Sequence, residues 1–117
     1  MQESISSKDL EVLEKKYKNH VFVLVLPATR AVDLPSLDKR KYIVPKSTTV
    51  GMFMGILRKR MSLPPEKALF LFVGNMLPTS SSTIGELFTT EGKQGYLEIR
   101  YAGENTFGHY IDNNGLY

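Results

Sequence analysis

The sequence predicts an α+β fold. A mixed sheet of four to five strands is rolled over a helix, and one extra helix near the N-terminus covers the outer sheet face. Three observations carry this reading. Val21-Phe22-Val23-Leu24-Val25-Leu26 is six apolar residues in a row. A strand with one wet face alternates apolar and polar, so this one is central and covered on both sides. Ala68-Leu69-Phe70-Leu71-Phe72-Val73 is a second such run. Around the runs, two longer segments repeat apolar residues at helical spacing. Neither run approaches the roughly 20 apolar residues that a membrane span needs.

The elements follow in order. Residues 4–18 read as a helix, with Ser6 and Asp9 spaced as a capping box in which each satisfies a free backbone donor. Leu10, Leu13 and Tyr17 share one face; Glu11, Glu14, Lys15 and Lys18 lie elsewhere. This amphipathic helix is a natural lid for one face of the strand at 21–26. Residues 27–39 form a connection containing Pro27 and Pro35, and Lys41-Tyr42-Ile43-Val44-Pro45 reads as the next strand of a long-looped hairpin. Pro45 places that strand at or near a sheet edge, because proline cannot donate to a ladder.

Thr48 or Thr49 caps a helix from about Val50 to Met61, with Val50, Phe53, Met54, Leu57 and Met61 as its apolar face. Arg58-Lys59-Arg60 in its last turns suits the negative end of the helix dipole. Pro64-Pro65 ends the segment, and the run at 68–73 reads as a buried strand. Gly74-Asn75 signals a turn, with Met76-Leu77 as a short return strand. Ser80-Ser81-Ser82 is a polar loop, and Thr83 with Glu86 opens a short helix through Phe88 by a second capping box. Tyr96 to Tyr101 alternates, turning Leu97, Ile99 and Tyr101 to the core. The remainder, rich in Gly and Asn, has no periodicity and reads as a mobile tail.

Helix, strand, strand, helix, strand, short strand, short helix, strand is the order of the ubiquitin-like β-grasp roll. The crossover between its second and third strands is right-handed. The leading helix is extra. It covers the sheet face that ubiquitin leaves wet, as the doubly apolar strand requires.

Composition narrows the function. At 117 residues, with 23% charged and 42% hydrophobic, the chain reads as one ordinary globular domain. It has no cysteine, which removes disulfides, thiolate metal sites and thiol chemistry. Its two histidines, His20 and His109, argue against a zinc centre. There is no Gly-rich phosphate loop and no serine triad, so the chain reads as a non-enzyme with no cofactor and no metal. The polar start Met1-Gln2-Glu3-Ser4 is not followed by an apolar signal core, which predicts a cytosolic or nuclear protein. The charge of +3 favours acidic partners without naming one. Lys39-Arg40-Lys41 and Arg58-Lys59-Arg60 lack interleaved aromatic residues, which speaks against nucleic acid.

Several stretches resemble one family: Lys41-Tyr42-Ile43-Val44-Pro45, Val50-Gly51 through Arg58-Lys59-Arg60, and Glu66-Lys67-Ala68-Leu69-Phe70-Leu71-Phe72-Val73. The ending Gly103-Glu104-Asn105-Thr106-Phe107-Gly108 belongs with them. Together they are similar to the ubiquitin-like autophagy modifiers: autophagy-related protein eight, microtubule-associated protein light chain and GABA-receptor-associated protein. The resemblance spans about Leu10 to Gly108.

The resemblance implies a domain over 1–108 and a tail, 109–117, removed by an autophagy-type cysteine protease at the Gly108–His109 bond. Activating and conjugating enzymes then carry Gly108 as a thioester and join it to phosphatidylethanolamine. The protein would be cytoplasmic, moving to the autophagosomal membrane after lipidation, and a monomer in solution. Loss of the tail removes Asp112 and moves the charge from +3 to +4. Glycine has no side chain to obstruct a narrow enzyme site. Conjugation to a protein lysine, or a non-conjugated peptide-binding adaptor, is the alternative.

The resemblance also implies capture of short aromatic-x-x-aliphatic motifs of cargo receptors and adaptors by strand addition to the edge at Lys41–Val44. The aromatic pocket would use Asp9, Leu13, Phe22, Lys41, Ile43 and Tyr96. The aliphatic pocket would use Tyr42, Val44, Pro45, Phe53, Ile56, Leu57 and Arg60. Lys16, Lys41 and Arg60 would meet flanking acids. Plain core packing is the competing reading for Leu13, Phe53, Ile56 and Leu57. Two departures stand out. Only about 20 residues precede Val21, room for one helix where the family carries two, and Phe22 and His20 stand where relatives often have proline and arginine.

Overall fold

Hydroxyl side chains start all three helices of the described residues. The computed structural model describes residues 5–28 and 34–104. The Asp9 amide donates to the Ser6 hydroxyl at 3.1 Å, and the Ser6 amide donates to the Asp9 carboxylate at 3.2 Å. This box opens α1, Ser7–Lys16. Thr49, not Thr48, caps α2, Val50–Met61, by accepting from the Met52 amide at 3.1 Å. The Val50 and Gly51 amides donate to the carbonyls of Ser82 and Ser80, and Phe53 donates to the Thr49 carbonyl. The donors that a helix start leaves free are thereby satisfied. Thr83 and Glu86 form the second box, at 3.1 and 2.9 Å, and open α3, Ile84–Glu91. That helix runs past Phe88, where the sequence pattern ended, and Thr89 and Thr90 donate back to the carbonyls of Gly85 and Glu86.

Among the described residues four strands form one mixed sheet: β1, His20–Pro27; β2, Lys41–Pro45; β3, Phe70–Phe72; and β4, Tyr96–Ala102. Their spatial order is β2-β1-β4-β3. β1 pairs antiparallel with β2 and parallel with β4, and β3 pairs antiparallel with β4. β3 is shorter than the apolar run because its ladder starts where Phe70 meets Ala102, the last residue of β4. Met76 makes an isolated bridge to Val73, so the return segment closes a turn and adds no fifth strand.

β1 is buried on both faces, as its unbroken apolar run requires. Val21, Val23 and Val25 join Leu97, Ile99 and Tyr101 in the inner core against Val50, Phe53, Leu57 and Met61 of α2. On the outer face Phe22, Leu24 and Leu26 are also buried. α1 lies on this side but has no fully buried residue of its own. Leu10 packs so closely on Gly95 that a β-carbon there would lie 3.1 Å from Leu10 Cδ1. Gly95 also sits at φ +93, a conformation that favours glycine. No helix of the described residues is long and apolar enough to cross a membrane. Gly108, His109 and the segment 109–117 lie outside the described residues.

Candidate functional site

The end position of β2 leaves one side of its backbone open. The phase of its hydrogen bonds follows from the bonds that flank it. Val25 N–H donates to Arg40 C=O at 2.8 Å, and Lys46 N–H donates to Asn19 C=O at 2.9 Å. Bonding alternates along an antiparallel ladder, so Tyr42 and Val44 bond inward to β1. Lys41 and Ile43 turn their N–H and C=O groups to the open side. Pro45 closes this edge: it has no N–H, and its carbonyl accepts from Thr48 at 3.0 Å.

Side chains alternate across the two faces of the same edge. On the outer face, Ile43, Phe22 and Tyr96 stand in one cross-strand row. Phe22 is buried, Tyr96 half-buried and Ile43 partly open. Lys41 reaches Asp9 of α1 at 3.4 Å. Leu13, one turn beyond Asp9, is half-buried. The six residues expected for the aromatic pocket thus come from α1, β1, β2 and β4 on one side of the sheet. Lys16 is exposed in the last turn of α1 and has no ion pair among the described residues. His20 stays at the strand end, its Nδ1 2.8 Å from the Lys18 carbonyl and its ring edge-on to Tyr17.

Asp9 titrates below the ordinary carboxylate value of 3.8, chiefly because its carboxylate accepts the Ser6 backbone N–H; desolvation opposes this, and the Ser6 hydroxyl and Lys41 add to the lowering. A lowered folded-state pKa stabilises above the unfolded value and is lost as pH falls through the folded one. The start of α1 should therefore loosen below about pH 4. Amide exchange of Asp9 and Leu10 measured across that range should show it, and Asp9→Asn should remove the pH dependence.

On the inner face the expected aliphatic pocket divides in two. Phe53 and Leu57 are wholly buried, and Tyr42 and Val44 nearly so. Tyr42 meets Phe53 edge-to-face with centroids 5.5 Å apart. These four make the wall. Pro45, Ile56 and Arg60 are exposed and make the reachable rim. Two rim residues escaped the sequence reading. Asp38 binds Arg60 at 3.2 Å, and Lys39 Nζ lies 5.0 Å above the Tyr42 ring. Tyr42 O–H donates to the Lys39 carbonyl at 2.8 Å, and burial raises its hydroxyl pKa. Asp38 and Arg60 lie 22 residues apart with no shared local pattern, so only the fold brings them together.

A family model described as "Autophagy protein Atg8 ubiquitin like" matches residues 6–108. The chain belongs to the Atg8 family. Among curated relatives, autophagy-related protein 8 of Candida glabrata is 43% identical over 100 residues, 85% of this chain and 84% of that protein. Autophagy-related protein 8B of Oryza sativa subsp. indica is 42% identical over 97 residues, covering 82% and 81%. The crystal structure of Trypanosoma brucei ATG8 superposes with a TM-score of 0.79 at 27% identity, over 89% of this chain and 91% of that one. Atg8-family proteins are ubiquitin-like proteins of autophagy, not enzymes, and the α+β roll described above is theirs. In this Atg8-family chain Phe22 fills the middle of the outer row, between Ile43 and Tyr96.

Proposed function

We propose that the chain is a ubiquitin-like modifier of autophagy. It is trimmed after Gly108, joined through that glycine to phosphatidylethanolamine on autophagosomal membranes, and captures short peptides on the open side of β2. The observation that carries the peptide half is the edge itself. Lys41 and Ile43 offer backbone groups that are unpaired among the described residues, between an outer apolar row and an inner rim. In an extended peptide, residues three apart point to opposite faces. An aromatic residue in the outer row therefore sends an aliphatic residue, three positions on, to the rim at Ile56 and Pro45. Lys41 and Arg60 already bind carboxylates of this chain, Asp9 and Asp38, and a partner's acids take those places.

The conjugation half is supported by where the family match ends, at Gly108, nine residues before the end of the sequence. The partners that follow are an autophagy-type cysteine protease, the activating and conjugating enzymes, and cargo receptors with linear motifs. Intact mass of soluble and membrane-bound forms from starved cells tests this. The expected products end at Gly108, the membrane form carries one phospholipid, and Gly108→Ala lacks both. Retention of 109–117 without lipid would overturn the modifier reading and leave a peptide-binding adaptor. Mass added by a protein instead of a lipid would replace the lipid with a lysine acceptor.

A further inference from the structure

The turn after β3, the end of α3 and the outer face of β4 meet around a cleft of about 210 Å³, lined by Val73, Gly74, Glu91, Lys93, Glu98 and Arg100. Its charges fall into two groups. The Glu98 side chain is only 18% exposed, and a carboxylate so placed needs partners. Arg100 Nε lies 2.7 Å from one of its oxygens and Lys93 Nζ 3.7 Å from the other. Two cations on one carboxylate leave one positive charge over. Glu91 is the second group. It is the last residue of α3, whose final turn carries no basic residue, so its carboxylate adds to the negative end of the helix. It makes no ion pair among the described residues. One of its oxygens lies 3.6 Å from where a β-carbon on Gly74 would be. Gly74, at φ +61, has no side chain to fill that space.

We propose that this cleft binds a small zwitterion: an ammonium group held by Glu91 and, a few bonds away on the same molecule, a phosphate or carboxylate held by Lys93 and Arg100. Aminoethyl phosphates and short amino acids have this form. A lone anion meets the repulsion of Glu91, and a lone cation meets that of Lys93. Only the linked pair gains from both groups, which is how a cleft of mixed charge discriminates. The bound cation also relieves the uncompensated acid at the end of α3. Neither the β2 edge nor Gly108 takes part.

Heteronuclear NMR of the full chain titrated with O-phosphoethanolamine tests it. The amides of Gly74, Lys93 and Glu98 should shift together and saturate with a Kd on the order of 1 mM, within the range open to so small a ligand. Ethylamine and inorganic phosphate, each carrying one of the two charges, should bind about tenfold more weakly. Glu91 and Lys93 are exposed, so Glu91→Gln and Lys93→Gln should stay folded. Each should weaken O-phosphoethanolamine about fivefold or more. Glu91→Gln should leave inorganic phosphate no weaker, and Lys93→Gln should leave ethylamine no weaker. Shifts that never saturate, or that neither variant reduces, would overturn the inference. So would inorganic phosphate binding as tightly as the linked compound, which would make the cleft an anion site only. Vesicles of phosphatidylethanolamine then name the source. Displacement of O-phosphoethanolamine supports the site with a lipid headgroup as its ligand, and no displacement supports it with a free compound.

Discussion

Phe53→Ala should destabilise the protein by about 4 kcal/mol and lower its Tm by roughly 15 °C. Phe53 is wholly buried, packs edge-to-face on Tyr42, and belongs to the same core as Leu57, Val23 and Leu97. Removing its ring opens a cavity that a helix and a sheet pinned by their own hydrogen bonds collapse into only in part. Such a loss is a large share of the roughly 5–15 kcal/mol that holds a domain folded. Ile56→Ala, three residues along the same helix, should move stability by less than about 1 kcal/mol because its side chain is already half in solvent. Peptides anchored by an aliphatic residue should report the opposite order at temperatures where both variants are folded, with Ile56→Ala weakening them directly. A Phe53→Ala variant that melts like the natural chain would show that residue to be a pocket wall with slack, not core.

Ile43→Pro should leave the fold standing and weaken peptide capture well beyond Ile43→Ala. The Ile43 N–H faces the open side of β2, so proline there removes no bond to β1, and edge positions of this kind tolerate proline. Alanine removes the side chain from the outer row and keeps the donor. The difference between the two variants therefore reads the backbone bond, a factor of up to about tenfold in Kd. Val44→Pro is the contrast, since its N–H bonds inward; it should unfold the edge and lower Tm sharply. Circular dichroism melts together with fluorescence anisotropy of an aromatic-x-x-aliphatic peptide would measure both effects. Equal affinities for Ile43→Ala and Ile43→Pro would mean that the peptide does not extend the sheet.

Much of this architecture is readable because the signals are local. Ser6 with Asp9, and Thr83 with Glu86, are spaced to bond each other before any tertiary contact exists, and both boxes form. The unbroken apolar run at Val21–Leu26 announces a strand with two covered faces, and β1 is one. Pro45 marks an edge, and β2 lies at one. What the sequence alone resolves poorly is how deep a side chain sits. Phe53 and Ile56 lie three apart on one apolar-looking helix, yet one is sealed and the other open. That split depends on which side of α2 is turned to the core formed with the sheet. The Asp38–Arg60 pair and the Gly95 seat for Leu10 depend on long-range placement in the same way. So does the length of β3, which is set by where β4 stops.

The parallel pairing of β1 with β4 has a mechanical consequence. β4 ends at Ala102 and leads directly into the C-terminal segment, while α1 joins the opposite end of β1. A tether pulling on the C-terminus against a load held at the N-terminus draws the two neighbouring strands past each other along their length. Their shared ladder, from Phe22 opposite Tyr96 to Pro27 opposite Tyr101, is then strained all at once instead of being peeled rung by rung. Under such a pull between its two ends the sheet is loaded in shear, along the direction in which it yields last.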